Sequence, residues 1–361
     1  MTNAQISTAR DTLVRAIEFR GPAWTPYLVD CVPDQLAGYS EPAQIEALKQ
    51  GLRDLGVQQT GAGFRAQNLT VNVVPRETAL PAPYRALEPD EWVDEWGVVW
   101  TCREFPRVVG HPLEADWSLL SAYTLPDPRA TGRYDEARRR LAANPDRYRL
   151  GHVWFTLFER LWFLRGFNAM LSDPYLYPDE FNELADRIVA FSVASIEQQV
   201  ALGVDGIFFS DDWGTQDRML MRPDDWRKWY KPYYKRLFDA VHAGGAHVWM
   251  HLCGHVVPII GDLIDLGINV LNPVQPQAMN VDKLAAQYGG HLCFYGGIDV
   301  QGTLPHGTPQ DVDREVRHLF EIFGRYSGGY IGGTSHSIMP GTPAENILTL
   351  YTSLRDASAA G

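Results

Sequence analysis

From residue 150 onward the chain repeats one pattern six times: a short apolar run, a polar residue, then a helix-forming stretch. The apolar runs fall at 153–156, 206–209, 246–250, 269–271, 292–295 and 330–332. Helices are predicted at 157–166, 178–202, 223–244, 256–266, 281–288, 308–324 and 343–356, with Pro223 opening one and Gly203, Gly244 and Gly267 closing others. Continuous apolar strands alternating with helices imply a parallel sheet covered by helices. Such a sheet either stays open and doubly wound or closes into a barrel. No Gly-x-Gly-x-x-Gly follows an early strand, which removes the main support for the dinucleotide-binding open sheet. One or two strands from the N-terminal third bring the number to eight, and 361 residues suit a barrel with insertions. The expectation is therefore an α/β fold, a (β/α)8 TIM barrel filling 1–361 as a single domain.

The first third is less regular. A helix is predicted over 1–20, with Leu13, Ala16 and Ile17 on one face, then a strand at 23–29, a helix at 42–55 and a strand at 69–74. Residues 96–100 and 103–109 read as a hairpin. Prolines at 75, 81, 83, 89, 106, 112, 126 and 128 keep this region rich in loops. Residues 1–130 are thus taken as an elaboration carrying the first strands, and 150–356 as the regular units.

Polar and ionisable residues cluster just past the ends of these strands: Glu159, Asp211, Asp212, Gln216, His251, Cys253, Asn272, Gln275, Asp299, Gln301 and His336. In a barrel all strand C-termini meet at one mouth, where this fold places its chemistry. His251 and Cys253 are two apart on one strand end and point the same way. An imidazole and a thiol converging like this are half of a tetrahedral zinc site, with His336 as the third candidate ligand. The bland alternative is a core histidine beside a buried thiol. Only one of Asp211 and Asp212 faces the mouth, because neighbours alternate, and either could cap a loop or helix. Asp299 could be a turn residue. Glu159 sits at a helix start, where a carboxylate suits the helix dipole without chemistry.

Charge excludes some partners. A net charge of -12 and a pI near 5.3 argue against nucleic acid and against anionic membranes. The N-terminal sequence has no signal-type apolar core and no stretch reaches the length of a bilayer span. Cys31, Cys102, Cys253 and Cys293 show no paired spacing. A cytoplasmic protein with reduced thiols is expected.

Five ordered motifs resemble the uroporphyrinogen decarboxylase superfamily: Phe209 to Gln216, His251-Leu252-Cys253-Gly254, Val270 to Gln275, Tyr295-Gly296-Gly297-Ile298-Asp299, and Gly329 to Asn346. The resemblance implies a (β/α)8 barrel and two chemistries. Decarboxylases of the tetrapyrrole need no cofactor and carry an N-terminal Arg-rich segment; here the matching place reads Trp24 to Asp30 without arginine. The His-x-Cys-Gly motif resembles instead the zinc methyltransferases of the superfamily, which move methyl groups to or from corrinoid proteins. That branch usually has Cys as third ligand, where this chain has His336, a position that also aligns with a histidine kept by the decarboxylases.

The resemblance implies zinc on His251, Cys253 and His336, and a methyl group moved between a thiol or methoxy compound and a corrinoid carried by a partner protein. On this leading reading Asp211 or Asp212 orients substrate or a metal-bound water, Asp299 supports, and Glu159, Gln216, Asn272 and Gln275 at the strand ends are substrate contacts; the resemblance alone suggests a homodimer. The alternatives are a metal-free decarboxylase of a carboxylated substrate, with His336 and an Asp handling protons, and a non-catalytic barrel that binds a corrinoid or tetrapyrrole.

Overall fold

The computed structural model describes residues 7–36, 42–60, 63–67, 69–78, 85–102 and 106–360. Its frame is a curled sheet of seven parallel strands: β4 (Thr70–Val73), β8 (Tyr148–Val153), β9 (Gly206–Ser210), β10 (His247–His251), β11 (Val270–Val274), β12 (Cys293–Ile298) and β13 (Tyr330–Thr334), neighbours in that order. The place of an eighth strand is taken by a single parallel bridge, Tyr27 to Gly332, on the outer edge of β13. Leu28 donates its N–H to the Gly332 carbonyl and Gly332 returns one to Pro26. The fold is the expected TIM barrel. A small antiparallel sheet, β1 (Asp30–Cys31), β2 (Gln58–Thr60) and β3 (Gly63–Arg65), precedes it, and a second one, β5 (Glu91–Val93), β6 (Val99–Cys102) and β7 (Pro106–Gly110), is inserted between β4 and β8. No helix among the described residues is long and apolar enough to cross a membrane.

Alternation along the strands divides the core in two. Tyr148, Leu150, Phe208, Trp249, Val270, Cys293 and Ile331 form one cluster, joined by Leu13 and Ile17 of the helix Ala9–Ile17. Their strand neighbours Ile207, Phe209, Val248, Met250, Phe294 and Tyr330 pack with the surrounding helices. His247 and His251 flank Trp249 at two-residue spacing and therefore share its side of the sheet. His247 is satisfied there by Tyr148 and Glu18, at 2.8 and 3.1 Å.

Several boundaries differ from expectation. The strand expected at 153–156 is Tyr148–Val153, and Phe155 already has φ +53°. Arg149 and Gly151 disguise this strand in the sequence. A Cβ on Gly151 would lie 2.5 Å from Oε1 of Gln199, on the helix Pro178–Ala201, whose amide bonds the His152 backbone. The stretch 23–29 contributes only the bridge at Tyr27. The hairpin lies at β6–β7, with Asp94 to Gly97 forming a turn before it. The helix expected at 223–244 is broken into Pro223–Trp229 and Lys231–Ala243, because Pro232 cannot supply an N–H to a continuous helix.

One strand end also fixes a neighbouring unit. Asp211, 0% exposed, accepts the amides of Leu157, Phe158 and Glu159 at 2.9, 2.8 and 2.6 Å, and the Tyr234 hydroxyl also donates to it. Its carboxylate thus holds the N-terminus of the helix Phe158–Arg165, where orphan N–H groups favour an anion. Of the two aspartates expected at the mouth, Asp211 is thus the one that caps a helix, its oxygens occupied by the frame. The helix that it caps belongs to the preceding unit, which sequence order does not reveal.

Asp211→Ala leaves three buried amides without an acceptor, at about 1–3 kcal/mol each before relaxation. We expect a stability loss of roughly 3–5 kcal/mol by denaturant unfolding, with Asp211→Asn losing less. An unchanged midpoint with lost activity would return Asp211 to the chemistry.

Candidate metal centre

Register sets the site. His251 at the end of β10 pairs with Ser210 on β9 and Asn272 on β11, so three polar side chains stand in a row across the mouth. His251 Nδ1 lies 2.7 Å from Asn272 Oδ1. Asn272 Nδ2 donates to the Tyr295 carbonyl at 3.3 Å, which fixes the amide with its oxygen toward the imidazole. Nδ1 must then carry the proton, and the lone pair is left on Nε2. That lone pair faces Cys253 Sγ at 3.2 Å.

The turn after β10 delivers the thiol. Gly254 has φ +81°, and a Cβ there would fall 2.4 Å from the Gly214 carbonyl carbon. Gly254 donates its N–H to Gln275 Oε1 at 2.9 Å, and the Cys253 N–H is held by Asp212 Oδ1 at 2.8 Å. Asp212 Oδ1 also lies 3.9 Å from His251 Nε2. His336, two residues past β13, comes in from the far edge of the sheet. One ligand atom each from His251, Cys253 and His336 lies within 4.8 Å of the other two.

The donor set fits a metal such as zinc. Zinc bonds thiolate sulfur at about 2.3 Å and imidazole nitrogen at about 2.1 Å, which sets tetrahedral ligands about 3.6 Å apart. The 3.2 Å between Nε2 and Sγ is near that spacing. Burial, then Asp212, push the Cys253 thiol well up, so without a cation the sulfur keeps its proton. Burial, then His251, push His336 down, which keeps its imidazole neutral and able to ligate. Three protein ligands leave room for a fourth, exogenous one.

A cavity of about 690 Å³ opens onto this centre. Cys253 and His336 line it, with Gln216, Gln275 and Gln301. Gln275 Nε2 donates to Gln216 Oε1 at 3.3 Å and to Gln301 Oε1 at 3.1 Å, so the amides form one rim. No arginine or lysine is among the lining residues described.

The structure brings together His251, Cys253, His336, Asp212 and Asn272, with Gln216 and Gln275 at the rim. Asp299 stands apart: it accepts the Gln301 N–H at 2.8 Å and Gln277 Nε2 at 2.6 Å, and so positions the rim. Glu159 is buried and reaches the row only through Ser210, whose hydroxyl donates to Glu159 Oε2 at 3.2 Å. Burial, then Asp211 and Asp212, raise the Glu159 carboxyl well above its ordinary range. Asn272 is expected from sequence as a substrate contact; its oxygen faces His251 Nδ1 and fixes the tautomer. Sequence reasoning missed Ser210 and Tyr234. Strand register would have exposed the first, while the second comes from a helix distant in sequence and carried no signal.

The sequence profile of the Uroporphyrinogen decarboxylase (URO-D) family matches residues 155–357. Curated relatives include the uroporphyrinogen decarboxylase of Pelodictyon phaeoclathratiforme, 24% identical over 191 residues, 51% of either chain. The decarboxylase of Syntrophotalea carbinolica is 27% identical over 187 residues, 50% of either chain. The methylated-thiol--coenzyme M methyltransferase of Methanosarcina mazei is 23% identical over 257 residues, 69% of this chain and 64% of that protein. The chain spans about half the length of the decarboxylases it matches. A solved methyltransferase from Methanosarcina mazei superposes with a TM-score of 0.67 at 18% identity, covering 97% of this chain and 99% of that one, a likeness of fold. With more than half of its length matched by that profile, the chain belongs to the uroporphyrinogen decarboxylase family.

Proposed function

We propose that this protein is a zinc-dependent methyltransferase, moving a methyl group between a small thiol or methoxy compound and a corrinoid carried by another protein. The observation that carries this reading is the donor set of His251, Cys253 and His336 on a cavity whose described lining has no cationic side chain. A tetrapyrrole with many carboxylates would meet no arginine or lysine among the described lining residues, a poor match of charge. A thiol or an ether needs no such cations. The relative that acts on a methylated thiol is also aligned over more of this chain than the two decarboxylases described above.

His251, Cys253 and His336 would hold the zinc. A zinc ion there supplies a Lewis acid that favours a substrate thiol as its thiolate, or polarises a methoxy oxygen. The residues around it have separate tasks. Asn272 holds Nδ1–H and so keeps Nε2 free to ligate. Asp212, half exposed and 3.9 Å from His251 Nε2, would accept the proton that an incoming thiol gives up. The glutamine rim orients the polar end of the substrate. Glu159, kept protonated by burial, adds no negative charge beside the thiolates.

Tag-free protein should contain about one zinc per chain by elemental analysis, and Cys253→Ala and His251→Ala should lack it. No zinc after supplementation would sink the proposal and favour the metal-free decarboxylase or a non-catalytic barrel. His336→Ala assigns the third ligand: lost zinc makes it a ligand, whereas retained zinc with lost turnover makes it a proton carrier.

Asn272→Ala should weaken zinc binding about 10- to 100-fold in competition with a chelator. Affinity equal to wild type would mean that the tautomer needs no help from Asn272.

A pH dependence follows from Glu159 in the metal-free protein. Its folded-state pKa lies above the unfolded value, so the folded state binds a proton that the unfolded state releases. Its stability contribution is present below the ordinary glutamate value of 4.5 and is lost as pH rises from there toward the raised value. Wild type should lose stability relative to Glu159→Gln over that rise; parallel stability curves would show that Glu159 titrates normally.

A further inference from the structure

A second cavity, of about 380 Å³, lies beside the ends of β4 and β8, next to the sheet β5–β6–β7. None of the proposed metal ligands lines it. Phe208 stands between the two places, 5.6 Å from Trp154 of this cavity and 6.2 Å from His251, centre to centre. Six aromatic side chains form its walls: Trp92, Trp96, Trp100, Trp154, Phe155 and Phe191. Trp92 and Trp154 are 42% and 45% exposed, so ring surface remains that the protein's own packing does not use.

Behind the rings are polar atoms with no hydrogen-bond partner among the described residues. Neither His152 Nδ1 nor Nε2 has one, although His152 is only 6% exposed. Arg160, also 6% exposed, stacks over Trp96 at 4.3 Å and sits 3.5 Å from Asp94 Oδ2, yet its Nη1 makes no hydrogen bond. Arg133 holds Glu95 at 2.7 and 2.6 Å through its terminal nitrogens, while its buried Nε donates to nothing. Buried donors are nearly always paired, and each one left unpaired costs about 1–3 kcal/mol. Three residues with unmet buried donors around one aromatic-walled cavity mark a place where a ligand brings acceptors. Burial pushes the His152 imidazole down to about 4, so it offers one N–H and one lone pair rather than a charge.

The charges narrow the ligand. Asp94 and Glu95 offset Arg160 and Arg133, and Glu77 adds a further carboxylate to the lining. An anion would meet that carboxylate, and a cation would meet two guanidinium groups behind the rings. A neutral ring avoids both, stacks on indole faces and can present a carbonyl or ring nitrogen to the unmet donors. The volume suits one or two rings, at the small end of ligand pockets.

We propose that this cavity is a second binding site, for an uncharged aromatic compound of one or two rings that carries a carbonyl or ring-nitrogen acceptor. The site does not depend on zinc or on the methyltransferase reading.

Benzamide is the probe, with benzoate and tetramethylammonium as charged comparators. Each is titrated into the full chain, followed by tryptophan fluorescence and by calorimetry. Benzamide should bind saturably and change the indole emission, with both charged probes weaker. Trp154→Ala removes an exposed ring, and His152→Leu removes unpaired nitrogens from an apolar wall; each should weaken benzamide at least about fivefold while zinc content stays as in wild type. Loss of affinity in both variants, each melting as wild type does, supports the site. No saturable binding of benzamide, binding of either charged probe as tight as benzamide, or benzamide affinity unmoved by both variants would overturn it.

Discussion

The parallel register of β9, β10 and β11 is the constraint on which the rest depends. It sets Ser210, His251 and Asn272 side by side. From that row follow the tautomer of His251, the direction of its lone pair, and the link through Ser210 to Glu159. A slip of one residue would turn His251 outward and bring Met250 in, because strand neighbours face opposite sides. The register is in turn held by the apolar layers: Phe208 and Trp249 pack inside, while Ile207, Phe209, Val248 and Met250 pack against helices. Ordinary core packing thus places the metal-binding candidates to within a hydrogen bond's tolerance.

Around that row the electrostatics run in one direction. Asp211, Asp212, Glu159 and Cys253 crowd together with no arginine or lysine bonded to any of them among the described residues. Burial raises Asp211, Glu159 and Cys253 alike. Asp211 is stabilised by three amides and a hydroxyl, so its charge belongs to the helix N-terminus. The half-exposed Asp212 has one backbone amide, that of Cys253, and the thiol has the His251 imidazole. A region that accumulates negative groups and withholds cationic side chains is suited to a cation from outside, and the imidazole lone pair of His251 points into it.

The sequence made the frame legible wherever strands are uninterrupted apolar runs, as at 206–209, 246–250 and 330–332. It was opaque at β8, where Arg149 and Gly151 serve neighbours rather than the strand's own pattern, and at Tyr27, where one bridge replaces a strand. The same division holds in the site. His251 and Cys253 could be read because two-residue spacing on a strand end is local information. The cap made by Asp211 could not: its partners lie more than fifty residues upstream, and an aspartate at a strand end looks the same whether it meets substrate or backbone. Asn272 was found as polar and well placed, but only cross-strand geometry shows that its oxygen faces an imidazole.

His336 is where this chain departs from the resemblance that led to it. On the proposed reading, a neutral imidazole there in place of a thiolate leaves one fewer negative charge among the ligands. A divalent ion held by two imidazoles and one thiolate carries a net charge of about +1, whereas two thiolates and one imidazole would neutralise it. With zinc bound, these ligands would favour a substrate thiol as its thiolate more strongly, at some cost in nucleophilicity, because a more stabilised sulfur donates less readily. Asp212, 3.9 Å from His251 Nε2, would moderate this by returning part of the missing charge from a position where it need not ligate. On that reading His336 and Asp212 would form one adjustment: charge moves from the ligand set to a neighbouring carboxylate, which can also take a proton.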